Sequence, residues 1–411
     1  MVLRLPTSWR IAGLAVALCG LILPAFATEV PGSLGKQAPI LSQRPMDVYV
    51  ATGAADACGP GCSEWIAVDG RFDPGAGKRF RDFLNASPRR RTLPVFFHSP
   101  GGVLASAIEI ALALRENRMT VGVARTIQPG CTVLRVAGGN CDMLVKSGND
   151  VPSQFSFDGA QCHSACVYAL IGGVTRRIAP GVRVGIHSPK VDEQAWKQFA
   201  DRHPGVRRLT SEERSQSLWR FVMALGIDPD LVDAASKVSH NSIHILSREE
   251  IVRYGIESTD RFETRWMLRG APDGSANLIK AVTSGDDHAT AIAQLACSDL
   301  FGYRLTLFRA LPKDQFALPP PAQLMAGDAK ISLLPGVAKS IAYWTAAARP
   351  DEMQKLAAVP QIDIALVYAR GPETAVGIKM STAGLGAALT ELQNHCSQRK
   401  LNASAGKPPA D

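Results

Sequence analysis

The chain has 411 residues, of which 46% are hydrophobic, with 36 glycines and 27 prolines. A chain of this length usually forms more than one compact core, so we expect two domains. The formal net charge is +8, but the cationic residues are scattered, and the densest run, Arg89-Arg90-Arg91, contains no interleaved aromatic residue. Such a run is typical of a solvated turn, so we expect no nucleic acid partner.

Residues 1–27 have the pattern of a secretory signal. Arg4 precedes an apolar stretch from Ile11 to Ala27, which ends in small residues of the Ala-x-Ala type. The stretch is short for a bilayer span of about 20 residues and contains Pro24, so we expect cleavage before Thr28 rather than a permanent anchor. The sequence thus predicts a periplasmic or secreted protein, which contacts a membrane only if this segment stays uncleaved.

The cysteines also favour an oxidising compartment. Cys19 lies in the leader, and the remaining eight are even in number, as expected of disulfides behind an export signal. Zinc is the alternative, but the cysteine pairs separated by three residues lack the two-residue spacing of a zinc knuckle, so we expect no metal. A bridge from Cys297 to Cys396 is predicted, because both lie in the last third of the chain. The eight candidates are Cys58, Cys62, Cys131, Cys141, Cys162, Cys166, Cys297 and Cys396.

A regular alternation of elements begins at Glu64, after a predicted lead-in and cysteine loop over residues 28–63. Short apolar runs predict strands, and apolar residues at helical spacing predict helices. Strands that alternate with helices indicate an α/β domain over 64–260, with a mostly parallel sheet covered on both faces. The strands are expected at 65–68, 93–97, 120–124 and 182–186, and the helices at 78–84 and 103–114.

Local signals predict three later helices. Thr210-x-x-Glu213 and Ser247-x-x-Glu250 are capping boxes, and Asp228-Pro229 is a typical helix start. The helix after Ser247 is expected to end at Gly255.

Two regions depart from this alternation. Residues 125–156 form a Gly-rich insertion, which could cover a cleft as a lid. Past residue 260 the rhythm is lost, which predicts a C-terminal α+β domain over 261–403 and a disordered tail over 404–411.

Three short motifs carry the candidate chemistry. His98-Ser-Pro-Gly-Gly102 joins a strand to a helix, where glycines can direct free N–H groups at a developing oxyanion. Cys162-His-Ser164-Ala-Cys166 places a serine between small residues at the start of an apolar helix. Ile186-His187-Ser-Pro189 places a histidine at the end of a buried strand. Each motif alone has an ordinary structural explanation: a loop, an N-cap serine and a buried histidine.

In this order the motifs resemble the Clp-type serine peptidases, which share the crotonase-like fold. The Leu246-Ser…Tyr254-Gly segment is similar to that family's closing helix, so the resemblance spans residues 65 to 258. It implies a core of repeated β-β-α units and no cofactor. Its peptidase members act on peptide or protein substrates, and oligomers are possible, although ring assembly is not expected because the handle region, 190–208, is altered.

The resemblance also implies roles for individual residues. Ser164 matches the nucleophile and His187 the general base, while Ala165 and either Gly101 or Gly102 would donate N–H groups to the oxyanion. The family's aspartate has no counterpart before Leu246, so Asn241 is our choice to orient His187.

Different residues could fill some of these roles. Asp233 is the fallback for orienting His187, Lys190 could act as a base in place of a histidine, and Cys162 could be the nucleophile. Bridges from Cys162 or Cys166 to Cys131 or Cys141 are expected to tie the insertion to the nucleophile.

The sequence therefore predicts an exported serine peptidase or related acyl hydrolase. A binding module that has lost its catalytic acid is the second hypothesis, because the family's aspartate is missing. An acyl-CoA enzyme of the crotonase type would need a cytosolic cofactor, which the export signal opposes.

Overall fold

The computed structural model describes ten stretches of the chain, which together contain all the elements given below. The predicted leader, Cys131, Cys141 and Lys190 lie outside the described residues. The stretches are 44–129, 150–189, 210–259, 261–270, 275–284, 289–298, 302–310, 319–338, 341–366 and 378–404.

The first half of the described chain alternates short strands with helices. The strands are β1 (Asp47–Thr52), β2 (Glu64–Asp69), β3 (Val95–His98), β4 (Thr120–Val123), β5 (Arg125–Ile127), β6 (Val151–Pro152), β7 (Gln154–Ser156), β8 (Gln161–His163), β9 (Thr175–Arg177), β10 (Arg183–Ile186) and β11 (His244–Ile245). The helices are α1 (Ala76–Asn85), α2 (Leu104–Glu116), α3 (Ala165–Leu170), α4 (Ser211–Ala224), α5 (Asp230–Ser236) and α6 (Arg248–Arg253), with a 3₁₀ turn at Pro88–Arg91.

These strands form sheets of mixed orientation. The larger sheet has the order β6-β1-β2-β3-β4-β9, and every neighbouring pair in it is parallel except β1 with β2. In a second sheet β10 pairs in parallel with β8 and antiparallel with β11. The sequence predicted β2, β3, β4 and β10 but not the short parallel strands β6, β8 and β9. It also missed β1, which lies within the expected lead-in and has buried residues on both faces.

The two predicted capping boxes are confirmed. The Thr210 side chain accepts a hydrogen bond from the Glu213 N–H, and the Glu213 carboxylate accepts one from the Thr210 N–H. Ser247 and Glu250 form the same reciprocal pair at the start of α6. Gly255 has φ +70°, a backbone conformation that favours glycine, so α6 ends where its sequence predicts.

Close helix packing explains the glycines at the end of α3. A Cβ on Gly172 would collide with the backbone of Ala111 in α2, and one on Gly173 would collide with Val121. Because both positions lack a side chain, α3 can lie directly against α2 and the sheet. This contact holds the helix that follows Ser164 inside the first apolar cluster, which extends from Met46 to Ile256.

The second half of the described chain is dominated by antiparallel strands. It contains a ten-stranded sheet with the path β12-β14-β15-β16-β19-β18-β17-β20-β21, and β13 pairs with β14 beside that path. Its strands are β12 (Arg261–Glu263), β13 (Met267–Gly270), β14 (Ala276–Ser284), β15 (Ala289–Ser298), β16 (Gly302–Ala310), β17 (Ala322–Ala326), β18 (Ala329–Ala338), β19 (Ile341–Ala348), β20 (Gln361–Leu366) and β21 (Ile378–Ser381). Two helices accompany them, α7 (Pro350–Ala358) and α8 (Leu385–Ser404).

The two ends of this sheet lie close together. The Arg261 guanidinium in β12 donates to the Lys379 carbonyl oxygen at 2.7 Å, and the Ser381 N–H donates to the Glu263 carboxylate at 3.0 Å. The second apolar cluster extends from Trp266 to Leu392 and includes side chains of both α7 and α8. The boundary that the sequence predicts near residue 260 stays a prediction. Within the described ranges, no helix is long and apolar enough to cross a membrane.

The predicted bridge between Cys297 and Cys396 is confirmed. It joins β15 to α8 across a sequence separation of 99 residues. A disulfide that closes so long a loop strongly restricts the unfolded chain, whereas the Cys58–Cys62 bridge closes a separation of only four.

We expect the double substitution Cys297→Ala/Cys396→Ala to lower the free energy of unfolding by about 5 kcal/mol, from the loop-closure entropy of the unfolded chain. The matched variant Cys58→Ala/Cys62→Ala should lose only about 2 kcal/mol by the same argument. Urea unfolding followed by circular dichroism measures both. Equal losses in the two variants would contradict the assignment.

Candidate active site

Ser164 alone separates β8 from α3. Its backbone has φ +56° and ψ −123°, and only Asp56 and Arg118 share a positive φ among the described non-glycine residues. Such a conformation costs free energy and is found preferentially at functional sites. The Ser164 N–H donates to the Gly185 carbonyl oxygen in β10 at 2.7 Å. The turn thereby presents a half-buried serine side chain at the N-terminus of a helix, beside the strand that leads to His187.

The turn at Gly101 and Gly102 packs directly against this serine. A Cβ on Gly101, which has φ +97°, would lie 2.8 Å from the Ser164 Cβ and 2.5 Å from the His163 carbonyl oxygen. A Cβ on Gly102, which has φ +139°, would collide with the backbone of Phe72. No other residue could occupy either position without moving the backbone, which explains both glycines of the Ser-Pro-Gly-Gly motif.

The N–H groups around Ser164 differ in their availability. The Gly101 N–H donates to Ser99 Oγ at 3.1 Å. Among the described residues, neither the Gly102 N–H nor the Ala165 N–H has an acceptor. Ala165 is the first residue of α3, so its N–H also lies at the positive end of the helix dipole. These two N–H groups are therefore free to bind an oxyanion.

His187 follows directly after β10. The Ser164 N–H donates to the Gly185 carbonyl oxygen, and His187 is two residues further along the chain. The His187 Nδ1 lies 2.8 Å from the Ser188 carbonyl oxygen, which can only accept a hydrogen bond. Nδ1 therefore carries the proton in the neutral ring, and Nε2 has the free lone pair that a general base needs. Within the described residues, no hydrogen bond joins Ser164 Oγ to this ring.

The expected role of Asn241 is not supported by its position. Asn241 is exposed in a turn where the Ser242 N–H donates to the Ser239 carbonyl oxygen, and His187 Nδ1 is bound to Ser188 instead. The chain from Val238 to His244 does run beside His187, since the Ser188 N–H donates to the Val238 carbonyl oxygen. Asn241 lies in that stretch of chain, but among the described residues no hydrogen bond joins it to His187.

Asp233 and Cys162, the two other candidates, are both engaged in different interactions. The Asp233 carboxylate in α5 accepts from the Arg269 guanidinium at 2.8 Å, which commits it to an ion pair with β13. Cys162 is bonded to Cys166, so it has no thiol with which to act as a nucleophile. Lys190, the possible substitute for the histidine base, lies outside the described residues.

The disulfide around the serine corrects the predicted connectivity. Cys162 and Cys166 are bonded to each other, with 5.2 Å between their Cα atoms, rather than to the insertion. The two cysteines lie two residues before and two residues after Ser164, one in β8 and the other in the first turn of α3. This turn brings their side chains close enough to bond to each other. Both are fully buried. The bridge therefore restrains the turn that carries Ser164 from both sides.

His163 lies inside the Cys162-His-Ser164 motif, but the sequence analysis assigned it no role. Its side chain is buried, and its Nε2 has no hydrogen-bond partner among the described residues. Burial, reinforced by the nearby Arg183, His98 and His187, lowers the pKa of His163 to about 4. His98 is also affected, since burial lowers its pKa, and its Nδ1 accepts from the Gln161 N–H at 3.2 Å. Both rings are thus held neutral at pH 7.

The Ser188 carbonyl was also missed, because a backbone group has no sequence signature of its own. The signal that could have indicated it is Pro189, which restricts the preceding residue to an extended conformation. The described residues contain no group of three or more side chains suited to hold a metal ion.

Comparison of the sequence with protein-family models finds no match, and comparison with curated proteins finds none either. Among solved structures, the chain is similar to a mutant of the 1510-N membrane-bound stomatin-specific protease, with 13% identity, a TM-score of 0.28, and coverage of 46% of this chain and 73% of that one. It is also similar to a mutant of ClpP1 from Listeria monocytogenes, with 14% identity, a TM-score of 0.27, and coverage of 46% and 84%. Similarities of this size carry no argument about activity.

Peptide mapping tests the local disulfide. Cleavage after lysine and arginine places Cys162 and Cys166 together in fragment 147–176, and Cys131 and Cys141 in fragments 126–135 and 136–146. Under non-reducing conditions, mass spectrometry should find fragment 147–176 unlinked to the others and two hydrogens lighter than its reduced form. A crosslink from it to either of the other fragments would reject the local pairing.

The buried His163 predicts a loss of stability in mild acid. Its pKa is lower in the folded protein than in the unfolded chain, so protons bind the unfolded state preferentially as the pH falls below about 6.5. Between pH 7 and pH 5 this group should lower the free energy of unfolding by about 2 kcal/mol. The difference in urea-unfolding free energy between the two pH values should therefore be smaller in His163→Asn by about that amount. An unchanged difference would show that His163 does not contribute.

Proposed function

We propose that the chain is an exported serine hydrolase of the peptidase class, with Ser164 as nucleophile and His187 as general base. The observation that carries the proposal is the backbone of Ser164, a non-glycine residue at φ +56° at the start of a helix, with free N–H groups on either side. Strain of this kind is retained where the surrounding structure enforces it, and here it exposes the hydroxyl of one serine.

The proposed reaction needs only groups of this chain. Ser164 Oγ attacks the carbonyl carbon of the substrate while His187 Nε2 takes the hydroxyl proton. The N–H groups of Ala165 and Gly102 bind the oxyanion that forms. The imidazolium then gives its proton to the leaving amine or alkoxide, and an acyl-enzyme remains. A water molecule repeats the cycle with His187 as base, which releases the acid and regenerates Ser164.

The Ser188 carbonyl takes the place of the acid in this scheme. It holds the Nδ1–H of His187 at 2.8 Å and so selects the tautomer with a basic Nε2. A neutral carbonyl dipole stabilises the imidazolium less than a carboxylate does. We therefore expect a slower enzyme than one with a full triad.

The Clp-like substrate class is part of the proposal. It is supported by the order of the Ser-Pro-Gly-Gly, Ser164, Ile-His-Ser-Pro and Leu-Ser…Tyr-Gly motifs, which together span residues 98 to 256. The same resemblance supports a core of β-β-α units and a peptide or protein substrate. No cofactor is needed for the steps above.

Export is supported by the disulfides. Three bridges lie within the described residues, and structural disulfides persist in oxidising compartments such as the periplasm or the extracellular space. The segment 1–27 would act as the cleaved signal.

A second candidate is a non-catalytic binding module with the same core. The observation that favours it is that His187 is hydrogen-bonded to no carboxylate among the described residues. Such a module would keep the turn at Ser164 and the free N–H groups but would not transfer an acyl group.

Labelling with a fluorophosphonate probe separates the two candidates, because the probe phosphonylates only an activated serine. We expect the full chain to be labelled and Ser164→Ala not to be labelled, as measured by in-gel fluorescence. Equal labelling of both proteins would exclude Ser164 as nucleophile, and no labelling of either would favour the binding module.

Two further variants test the base in the same assay. His187→Ala should slow labelling by at least about 100-fold, the usual effect of removing a general base. Asn241→Ala should change the rate by less than about twofold, since no hydrogen bond joins its side chain to His187 among the described residues. A large loss in Asn241→Ala would restore the amide as the orienting group.

A further inference from the structure

A cavity lies away from Ser164, between α4 and the ten-stranded sheet. Its volume is about 340 Å³, which is within the range of small-ligand pockets. One wall is a face of α4 with Gln216, Trp219 and Met223, and the opposite wall is formed by Arg269 and the apolar side chains of Ile279 and Phe308. None of the residues placed at the Ser164 site lines it.

Trp219 distinguishes this cavity from an ordinary packing defect. Its side chain is 6% exposed, and its indole Nε1–H has no hydrogen-bond partner among the described residues. The other three described tryptophans each donate to an acceptor: Trp65 to Thr126 Oγ1 at 2.9 Å, Trp266 to the Ser381 carbonyl oxygen at 3.2 Å and Trp344 to the Pro320 carbonyl oxygen at 2.8 Å. A buried donor without a partner is costly, so an acceptor at this position would stabilise the protein.

Two more buried polar atoms of the lining are unsatisfied in the same way. Arg269 Nε, on a guanidinium that lies 4.9 Å above the Trp219 ring, is a second donor without an acceptor. Gln216 Oε1 is an acceptor without a donor, while its Nε2 donates to Glu212 at 3.2 Å. Two donors and one acceptor match the hydrogen-bonding groups of a peptide unit, whose carbonyl oxygen has two lone pairs and whose nitrogen has one hydrogen.

The charges of the lining favour a neutral ligand. Two cations, Arg220 and Arg269, are matched by two carboxylates, Glu212 and Asp233. Asp233 is already paired with the Arg269 guanidinium at 2.8 Å. A ligand carboxylate would gain little electrostatic attraction from a lining with no net charge. A neutral amide does not need such attraction. The apolar wall can bury an aliphatic or aromatic side chain.

We propose that this cavity binds a short peptide segment that carries an apolar side chain, with Trp219 Nε1–H and Arg269 Nε–H donating to its carbonyl oxygen and Gln216 Oε1 accepting from its N–H. The apolar side chain lies against Met223, Ile279 and Phe308. The proposal does not depend on acyl transfer at Ser164, and it adds a peptide-binding site whose lining comes from both halves of the described chain.

The test uses the full chain with ¹⁵N-labelled tryptophan indoles, and the probe is N-acetyl-L-leucinamide. The Trp219 indole N–H resonance, assigned with Trp219→Phe, should move downfield as the probe binds, because its hydrogen gains an acceptor. The resonances of Trp65, Trp266 and Trp344 should stay in place, because their acceptors are already present. No movement of the Trp219 resonance up to the solubility limit of the probe would overturn the proposal.

Two control probes test the ligand class. N-acetylglycinamide lacks the apolar side chain and should bind at least about tenfold more weakly. N-acetyl-L-leucine has a carboxylate in place of the terminal amide and should also bind more weakly. Equal binding of the glycine probe, or tighter binding of the carboxylate, would overturn the assignment of an apolar peptide.

Two variants test the contacts by the same resonance. Gln216→Met removes the acceptor at similar volume and should lower the affinity for N-acetyl-L-leucinamide by about tenfold. Ser217→Ala, an exposed neighbour on α4 whose Oγ–H donates to the Glu213 carbonyl oxygen, should leave the affinity unchanged. Equal affinities of these two variants would reject the role of Gln216 and with it the proposed binding mode.

Discussion

The position of Ser164 depends on a contact between two stretches of backbone that leaves no space for a side chain at Gly101. The Ser99 N–H donates to the Gln161 carbonyl oxygen at 2.8 Å, and the His163 N–H donates to the Ser99 carbonyl oxygen at 3.0 Å. These two bonds align the end of β3 with β8, so the glycine turn meets the chain at Ser164. The Ser164 N–H is bound to Gly185 at the same time, which brings β10 to the same edge. The proposed nucleophile, base and oxyanion donors thus all follow the carboxyl ends of three neighbouring strands.

The orientation of His187 is determined by its own main chain rather than by a distant side chain. The Ser188 carbonyl selects the tautomer, but it contributes no negative charge to the imidazolium that catalysis would form. The neighbouring His163 and His98 are kept neutral by burial, so they add no positive charge either. In the proposed reaction, the oxyanion on the substrate would supply a negative charge to the imidazolium. The pair of imidazolium and oxyanion would form only in the transition state. Its mutual attraction would therefore lower the activation barrier without tightening the binding of the substrate.

Sequence analysis succeeded at the helix ends, where the determining interactions are local. The capping boxes at Thr210 and Ser247 and the end of α6 at Gly255 depend on residues within one turn, and they occur where predicted. The Cys297–Cys396 pairing followed from position alone. The Cys162–Cys166 pairing did not, because sequence spacing does not determine connectivity. Asn241 was chosen because a side chain was expected to orient His187, and no residue pattern indicates that a backbone carbonyl does so. β1 was missed because its six residues lie next to a proline-rich and glycine-rich segment without a clear period.

The two halves of the described chain are joined by α4 and α5, and the cavity beside Trp219 lies in that junction. Gly226, at φ +75° just after α4, has no room for a Cβ because Thr283 of β14 occupies that space. Arg269 of β13 donates to both Asp230 and Asp233 of α5, and Trp219 and Met223 of α4 pack with Ile279 of β14. A ligand hydrogen-bonded to both Trp219 and Arg269 would contact both sides of this junction. Its binding free energy would therefore add to the association of the two halves, without any requirement that the backbone at Ser164 moves.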